Sequence, residues 1–322
     1  MRTIAIHTSK GGVGKTTLSV NLAYEIARLG NKVLVIDLDD QGNSSLYLGV
    51  NQADELDKAK TLDDFNKILE GFKSKKEIIH FLSSDIYSSS FDYKDYIRKT
   101  SPFNEYLNAI DSNGRIDVIV SSYRTTDEVD RLTSRVGRLG NTAMLLKKAL
   151  RKFDNEYDYI ILDTSPNITP VTLNGLYASR YLIIPTQLEY FSVYGVSSVV
   201  REIKRGVHEE MEGQQARILG IVPMMTEPVR GRNKGSASKI KINNFAKQLL
   251  KRAQLGTDLL PEIKRTKSFP DAAEKRVPLR VFVEKKPESK RINSEIEAVD
   301  QLSNLTKKII ERIDQDESQR GI

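Results

Sequence analysis

The chain has 322 residues, 39% of them hydrophobic and 29% charged, which supplies enough apolar mass for a packed domain and excludes a wholly disordered chain. It has no cysteine, so disulfides, thiolate zinc sites, iron–sulfur clusters and cysteine nucleophiles are excluded together, and His7, His80 and His208 lack metal-ligand spacing. The net charge of +7 is unevenly spread: residues 201–291 carry 22 Lys/Arg against 11 Asp/Glu, and 228–257 carry eight basic residues and no acid, which reads as a polyanion-binding surface or as a solvated charged face.

In chain order, residues 3–7 read as a short β-branched strand that runs into a glycine-rich turn. Residues 16–29 read as a helix, with Leu18, Leu22, Ile26 and Leu29 on one face and Gly30 as the stop. Residues 32–37 (KVLVID) form a buried strand ending in a carboxylate. This βαβ unit requires a parallel pair and a right-handed crossover. Further strands of the same kind are expected at 116–120, 159–163, 181–185 and 218–223. Amphipathic stretches at 142–153, 193–207 and 239–252 separate them. A last helix is expected over 292–313, with Ile292, Ile296, Val299, Leu302, Leu305, Ile309 and Ile313 on one stripe.

Residues 51–113 break the alternation. A helical piece near 61–72 precedes seven aromatic residues within 26: Phe81, Tyr87, Phe91, Tyr93, Tyr96, Phe103 and Tyr106. The segment reads as an insertion whose rings form a satellite core or, less favoured, a docking surface. No apolar run approaches 18 residues and the N-terminus lacks a signal-peptide pattern, so a soluble cytoplasmic protein is expected.

The turn after the first strand reads Ser9-Lys10-Gly11-Gly12-Val13-Gly14-Lys15-Thr16-Thr17. Strand, glycine-rich loop and helix start come in the order of a phosphate-binding loop. Backbone N–H groups of Gly11, Gly12, Val13, Gly14 and Lys15 can curl around phosphate, and the helix N-terminus adds its dipole. Lys15 is expected on the β- and γ-phosphates and the Thr16 hydroxyl on Mg²⁺, with Thr17 beside it. Together these readings give an α/β fold: one doubly wound domain over 1–322 with a mostly parallel sheet, a P-loop, a helical and aromatic insertion at about 51–113 and a packing helix at about 292–313. Asp37, Asp39 and Asp163 then fall at the C-terminal ends of strands, on the edge where the loop sits. The guanine-reading N-K-x-D string is absent, which favours ATP.

The usual glycine five positions before Gly14 is replaced by Ser9, and a second lysine, Lys10, stands beside it. The string KGGVGKTT resembles the deviant Walker A motif of the ParA/MinD-type ATPases, and the likeness to the ParA/Soj branch covers about residues 1–50 and 114–313. The run from Val35 to Ser45 is similar to that branch's first switch, with Asp40 where proline is usual. Tyr157 to Asp163 is similar to the Walker B strand, and Ile184-Pro185-Thr186-Gln187 also fits the branch. The resemblance implies that Lys10 reaches a partner's nucleotide, Asp39 orients the attacking water and Asp163 lies near Mg²⁺. It places Pro223 just before an adenine-contacting loop. It implies DNA contacts at Lys204, Lys264 and Arg265, to which the basic run adds Arg230, Arg232 and Lys234.

Within that family the sequence discriminates further. Zero cysteine excludes the iron–sulfur carriers. The acidic, polar tail 314–322 offers no amphipathic anchor, so no membrane partner is expected. With the P-loop beginning at residue 9, no N-terminal helix-turn-helix is expected either. The resemblance implies an ATP-dependent homodimer on nonspecific double-stranded DNA, nucleoid-associated, positioning a cargo. A centromere-binding or adaptor protein would stimulate hydrolysis. The alternatives are a metabolic P-loop enzyme of the dethiobiotin-synthetase type and an adaptor that binds nucleotide without hydrolysing it.

Overall fold

The computed structural model describes residues 1–50, 58–73, 76–84, 91–121, 144–187, 216–226 and 259–321. Eight strands form one sheet: β1 (Arg2–Ile6), β2 (Lys32–Leu38), β3 (Ile97–Lys99), β4 (Arg115–Ile119), β5 (Tyr159–Thr164), β6 (Tyr181–Gln187), β7 (Arg217–Thr226) and β8 (Ile263–Lys264). Their order is β3-β4-β2-β5-β1-β6-β7-β8, and every pairing is parallel except β3 with β4. The α/β, mostly parallel, doubly wound expectation is therefore met. The central strands carry no polar alternation because both faces are covered, and β5 (YIILDT) is buried at every position.

Helix α1 (Lys15–Arg28) follows β1 and buries Leu18, Leu22 and Ile26 against the sheet. Each such side chain contributes roughly 1.5–3 kcal/mol relative to an exposed one. Gly114, just before β4, fixes how closely α1 approaches: a Cβ there would lie 1.9 Å from the Ala27 carbonyl oxygen. The long C-terminal helix α2 (Asn293–Arg320) packs on α1 and on β7 and β8. It continues past the expected stop at 313 because one face of its last turns is tied to the body by ion pairs, while Asp314, Gln315, Ser318 and Gln319 stay exposed. Glu317 accepts from Arg2 at 2.7 Å and from Arg180 at 3.2 Å, and Asp316, 6% exposed, pairs with Arg217. A tail that reads as polar in sequence thus ties the chain's end to the N-terminal ends of β1, β6 and β7.

The described rings of the aromatic segment pack on the sheet, as the favoured reading expected, but they divide between its two faces and do not form one satellite cluster. Phe103 is fully buried between Tyr24 of α1 and Tyr47, within the main core on that face. On the other face Phe81, Phe91, Tyr93 and Tyr96 join Phe153 and Tyr157 beneath the sheet. β3 extends the sheet itself. It is only three residues long, too short for periodicity to reveal. Tyr87 and the amphipathic stretches 193–207 and 239–252 lie outside the described residues. Among the described residues no helix is long and apolar enough to cross a membrane.

Candidate functional site

The glycine-rich loop lies at the C-terminal end of β1, between β5 and β6, where the chain's strand order reverses. Gly12 and Gly14 have φ of 70° and 91°, a region closed to most side chains, and Gly14 is the residue from which α1 starts. A cavity of about 500 Å³ opens over the loop. Gly11, Gly12, Gly14, Lys15, Thr16 and Thr17 line one side. Asp39, Asp40, Gln41 and Asn43 line another, and Ser165, Pro166, Asn167 and Met225 close it.

Lys15 is 7% exposed, and its ammonium donates to the Lys10 carbonyl at 3.3 Å. Burial pushes its pKa down, and the charges of Asp163 and Asp39 oppose that shift. A desolvated ammonium that is only partly compensated is poised to take an anion.

Three hydroxyls converge on the fully buried carboxylate of Asp163. Thr16 donates to Oδ2 at 2.9 Å, Ser19 donates to Oδ1 at 2.8 Å, and Ser44 donates to Oδ2. Burial raises the Asp163 pKa and these hydroxyls hold it down. Asp37 faces Asp163 across the β2–β5 ladder. It is also fully buried, and its oxygens are occupied by the backbone N–H of Asp39 at 3.1 Å and by Ser45 N–H and hydroxyl at 2.9 and 2.7 Å. Burial first, and then Asp163, raise its pKa. Asp37 therefore anchors the turn after β2 and does not open to the cavity, whereas Asp39, two residues on, does. Asp39 is pushed up to about 6 by burial, with Gln41 N–H donating to it at 3.1 Å.

Mg²⁺ takes hard oxygen ligands in octahedral geometry and keeps several waters. Thr16 and Asp163 are oxygen donors in hydrogen-bond contact, so they fit. They are too few to cage a metal alone, which suits an ion that arrives with phosphate oxygens. Among the described residues no group of three His, Asp or Glu side chains has metal-binding geometry.

Lys10 immediately precedes Gly11 of the lining, and its ammonium donates to Gln187 Oε1 at 3.4 Å. Pro223 is buried inside β7 opposite Thr186, and Met225, two residues further on, is the residue of that strand that lines the cavity. Lys264 pairs with Glu297 on α2, and Arg265 is exposed, its backbone N–H donating to Thr226 at 3.0 Å. Lys204, Arg230, Arg232 and Lys234 lie outside the described residues.

Sequence reasoning missed Ser19, Ser44 and Ser45 as partners of the buried carboxylates, and it missed Met225. Ser19 had a signal, since it lies three residues after Thr16 on the same helix face. His7 was also unassigned. It is buried, Nδ1 meets Thr164 Oγ1 at 2.8 Å, and burial and then Lys15 lower its pKa to about 4, so the ring is neutral beneath the loop.

A family model described as an AAA domain matches residues 1–215. The chromosome-partitioning ATPase Soj of Thermus thermophilus is 28% identical over 228 residues, 70% of this chain and 70% of that protein. A substituted McdA from Cyanothece, solved in complex with ATP, superposes with a TM-score of 0.68 at 18% identity, over 97% of this chain and 96% of that one. MinD of Pyrococcus horikoshii, solved with Mg-ADP, superposes with a TM-score of 0.58 at 18% identity, over 94% of each chain.

Proposed function

The chain belongs to the ParA/MinD family of partition and positioning ATPases, and from that premise we propose that it is an ATP-gated dimer that binds nonspecific DNA and moves a cargo when a partner protein stimulates hydrolysis. The observation that carries the reading is the composition of one cavity. The cation that would hold β- and γ-phosphates, Lys15, and the carboxylate that would hold the attacking water, Asp39, line the same space, with Lys10 as the loop residue before Gly11 of that lining.

ATP and Mg²⁺ are the expected ligands. The loop N–H groups and Lys15 hold the phosphates, and Thr16 with Asp163 holds the metal side. Bound Mg²⁺ supplies charge neutralisation at the phosphates. Asp39 orients the water and takes up its proton as the water attacks the γ-phosphorus, and ADP leaves. Lys10, extended to a second protomer's nucleotide, adds positive charge there, as an arginine finger does in other nucleotidases but without the bidentate fork. Hydrolysis removes the group that Lys10 recognises, so the dimer opens.

DNA binding follows from doubling a basic surface. Phosphate neutralisation requires clustered Lys/Arg and no base-reading element. The surface assigned here comprises Lys204, Arg230, Arg232, Lys234, Lys264 and Arg265, and the dimer is expected on the nucleoid. Lys264 enters with a competing carboxylate, Glu297, so it contributes less than an unpaired lysine would. The test reverses Arg230, Arg232 and Lys234 to Glu. The variant should dimerise with ATP as the parent does and lose DNA binding in a filter or anisotropy assay. Undiminished DNA affinity would remove these three residues, and with them the basic run, from the surface.

A further inference from the structure

Gln187, the last residue of β6, touches three features of the site at once. Its Oε1 accepts from the Lys10 ammonium at 3.4 Å. Its Nε2 donates to the Gly12 carbonyl at 3.3 Å and contacts Met225 Sδ at 3.2 Å. Met225 is a non-glycine residue at φ 55°, and the β7–β8 register shifts between Met224 and Thr226. A side chain in that region is strained, and such positions persist where surrounding contacts hold them. Gln187 therefore links the loop backbone, Lys10 and the strained bulge that closes the cavity.

We propose that Gln187 is a positioning residue for Lys10, holding its ammonium along its own P-loop in the single protomer, so that dimerisation must exchange this contact for the partner's nucleotide. The inference rests on the reading that Lys10 acts across the dimer. Physically it is a population argument. If only a fraction of protomers has Lys10 released, the apparent affinity for any state that needs it released falls by that fraction. A dimer needs two released lysines, so the penalty is squared. A weak hydrogen bond from a half-exposed ammonium that biases each protomer roughly threefold then shifts dimerisation by about tenfold.

The sign separates this role from a structural one. Gln187→Ala removes this acceptor and should strengthen dimerisation, whereas Gln187→Glu replaces it with a carboxylate and should weaken it. Both variants should bind ADP as monomers with the parent's affinity. The experiment is sedimentation velocity over a protein concentration series with the non-hydrolysable analogue AMPPNP and Mg²⁺, alongside calorimetry with ADP. The expected result is a midpoint about tenfold lower for Gln187→Ala and higher for Gln187→Glu. Neither change should persist in a Lys10→Ala background, where the coupling has nothing to act on.

If Lys10→Ala dimerises like the parent, the cross-dimer role of Lys10 fails, and this inference fails with it. If Lys10→Ala weakens dimerisation but both Gln187 variants match the parent, Gln187 does not position Lys10 and the cross-dimer role stands. Weaker dimerisation in Gln187→Ala would also overturn the inference, by placing Gln187 in the dimer face.

Discussion

Lys15→Ala is expected to weaken ATP binding by about 10²-fold to several thousand-fold while leaving the chain folded. The reason lies in the burial of its ammonium. Lys15 is 7% exposed and its pKa is lowered by desolvation, so water has already been removed from the cation before the nucleotide arrives. Breaking a buried charge pair by deleting one partner costs about 3–5 kcal/mol, because the other charge is left uncompensated. Here the other charge is the β/γ-phosphate, and every 1.4 kcal/mol is tenfold in affinity. In the free protein the same deletion removes a desolvated charge but also leaves buried Asp163 without its nearest opposing charge, so the two effects offset and thermal stability should change little. Calorimetry with ATP and a melting curve test both halves. Near-parental affinity in a folded variant would remove the P-loop assignment; an unfolded variant would show that Lys15 holds the loop through the Lys10 carbonyl and not only the nucleotide.

Asp39→Ala is expected to bind ATP at least as tightly as the parent, to dimerise, and to lose hydrolysis by about 10²–10⁴-fold, the range for removing a general base. Tight binding follows from charge, since deleting a carboxylate that lines a phosphate cavity removes repulsion. The parent's own pH profile gives a second reading of the same group. Asp39 is raised to about 6 by burial, and the form that serves the water is the ionised one. As pH falls through about 6 the active fraction declines, so kcat/KM should drop about tenfold per unit below that value. AMPPNP binding measured over the same range separates this loss from any effect on the nucleotide. Hydrolysis at the parental rate in Asp39→Ala would show that the wrong carboxylate has been assigned. Asp37 is not a ready substitute, because both its oxygens are taken by Asp39 N–H and Ser45.

The parts of this molecule legible in sequence are those where one local pattern suffices. The buried strands read as β-branched runs, the loop reads from its glycines, and α1 reads from its apolar stripe. Asp39 and Asp163 could be placed because strand ends in a parallel sheet share one edge. What escaped notice depends on partners distant in the chain. Ser44 meets Asp163 from 119 residues away, and nothing in a serine's local context announces that. β3 was hidden by its length and by its antiparallel sense at the edge of a parallel sheet. The aromatics after residue 80 were visible as a group. Their division between the two faces of the sheet was not, because ring spacing does not encode which layer receives them. The end of α2 was misjudged because acidic residues read as solvated until Arg2, Arg180 and Arg217 are brought alongside them.

The central claim is that ATP, through dimerisation, switches DNA binding on, and the most direct measurement is sedimentation with bulk DNA in ATP–Mg²⁺, in ADP–Mg²⁺ and without nucleotide, each over a salt series. The account predicts DNA association only with ATP. If the dimer neutralises about six phosphates, log K should fall against log salt with a slope near roughly −5, the same for unrelated DNA sequences. Equal association in all three nucleotide states would contradict it, leaving the basic segment as an ordinary charged face and the nucleotide cavity without a link to DNA.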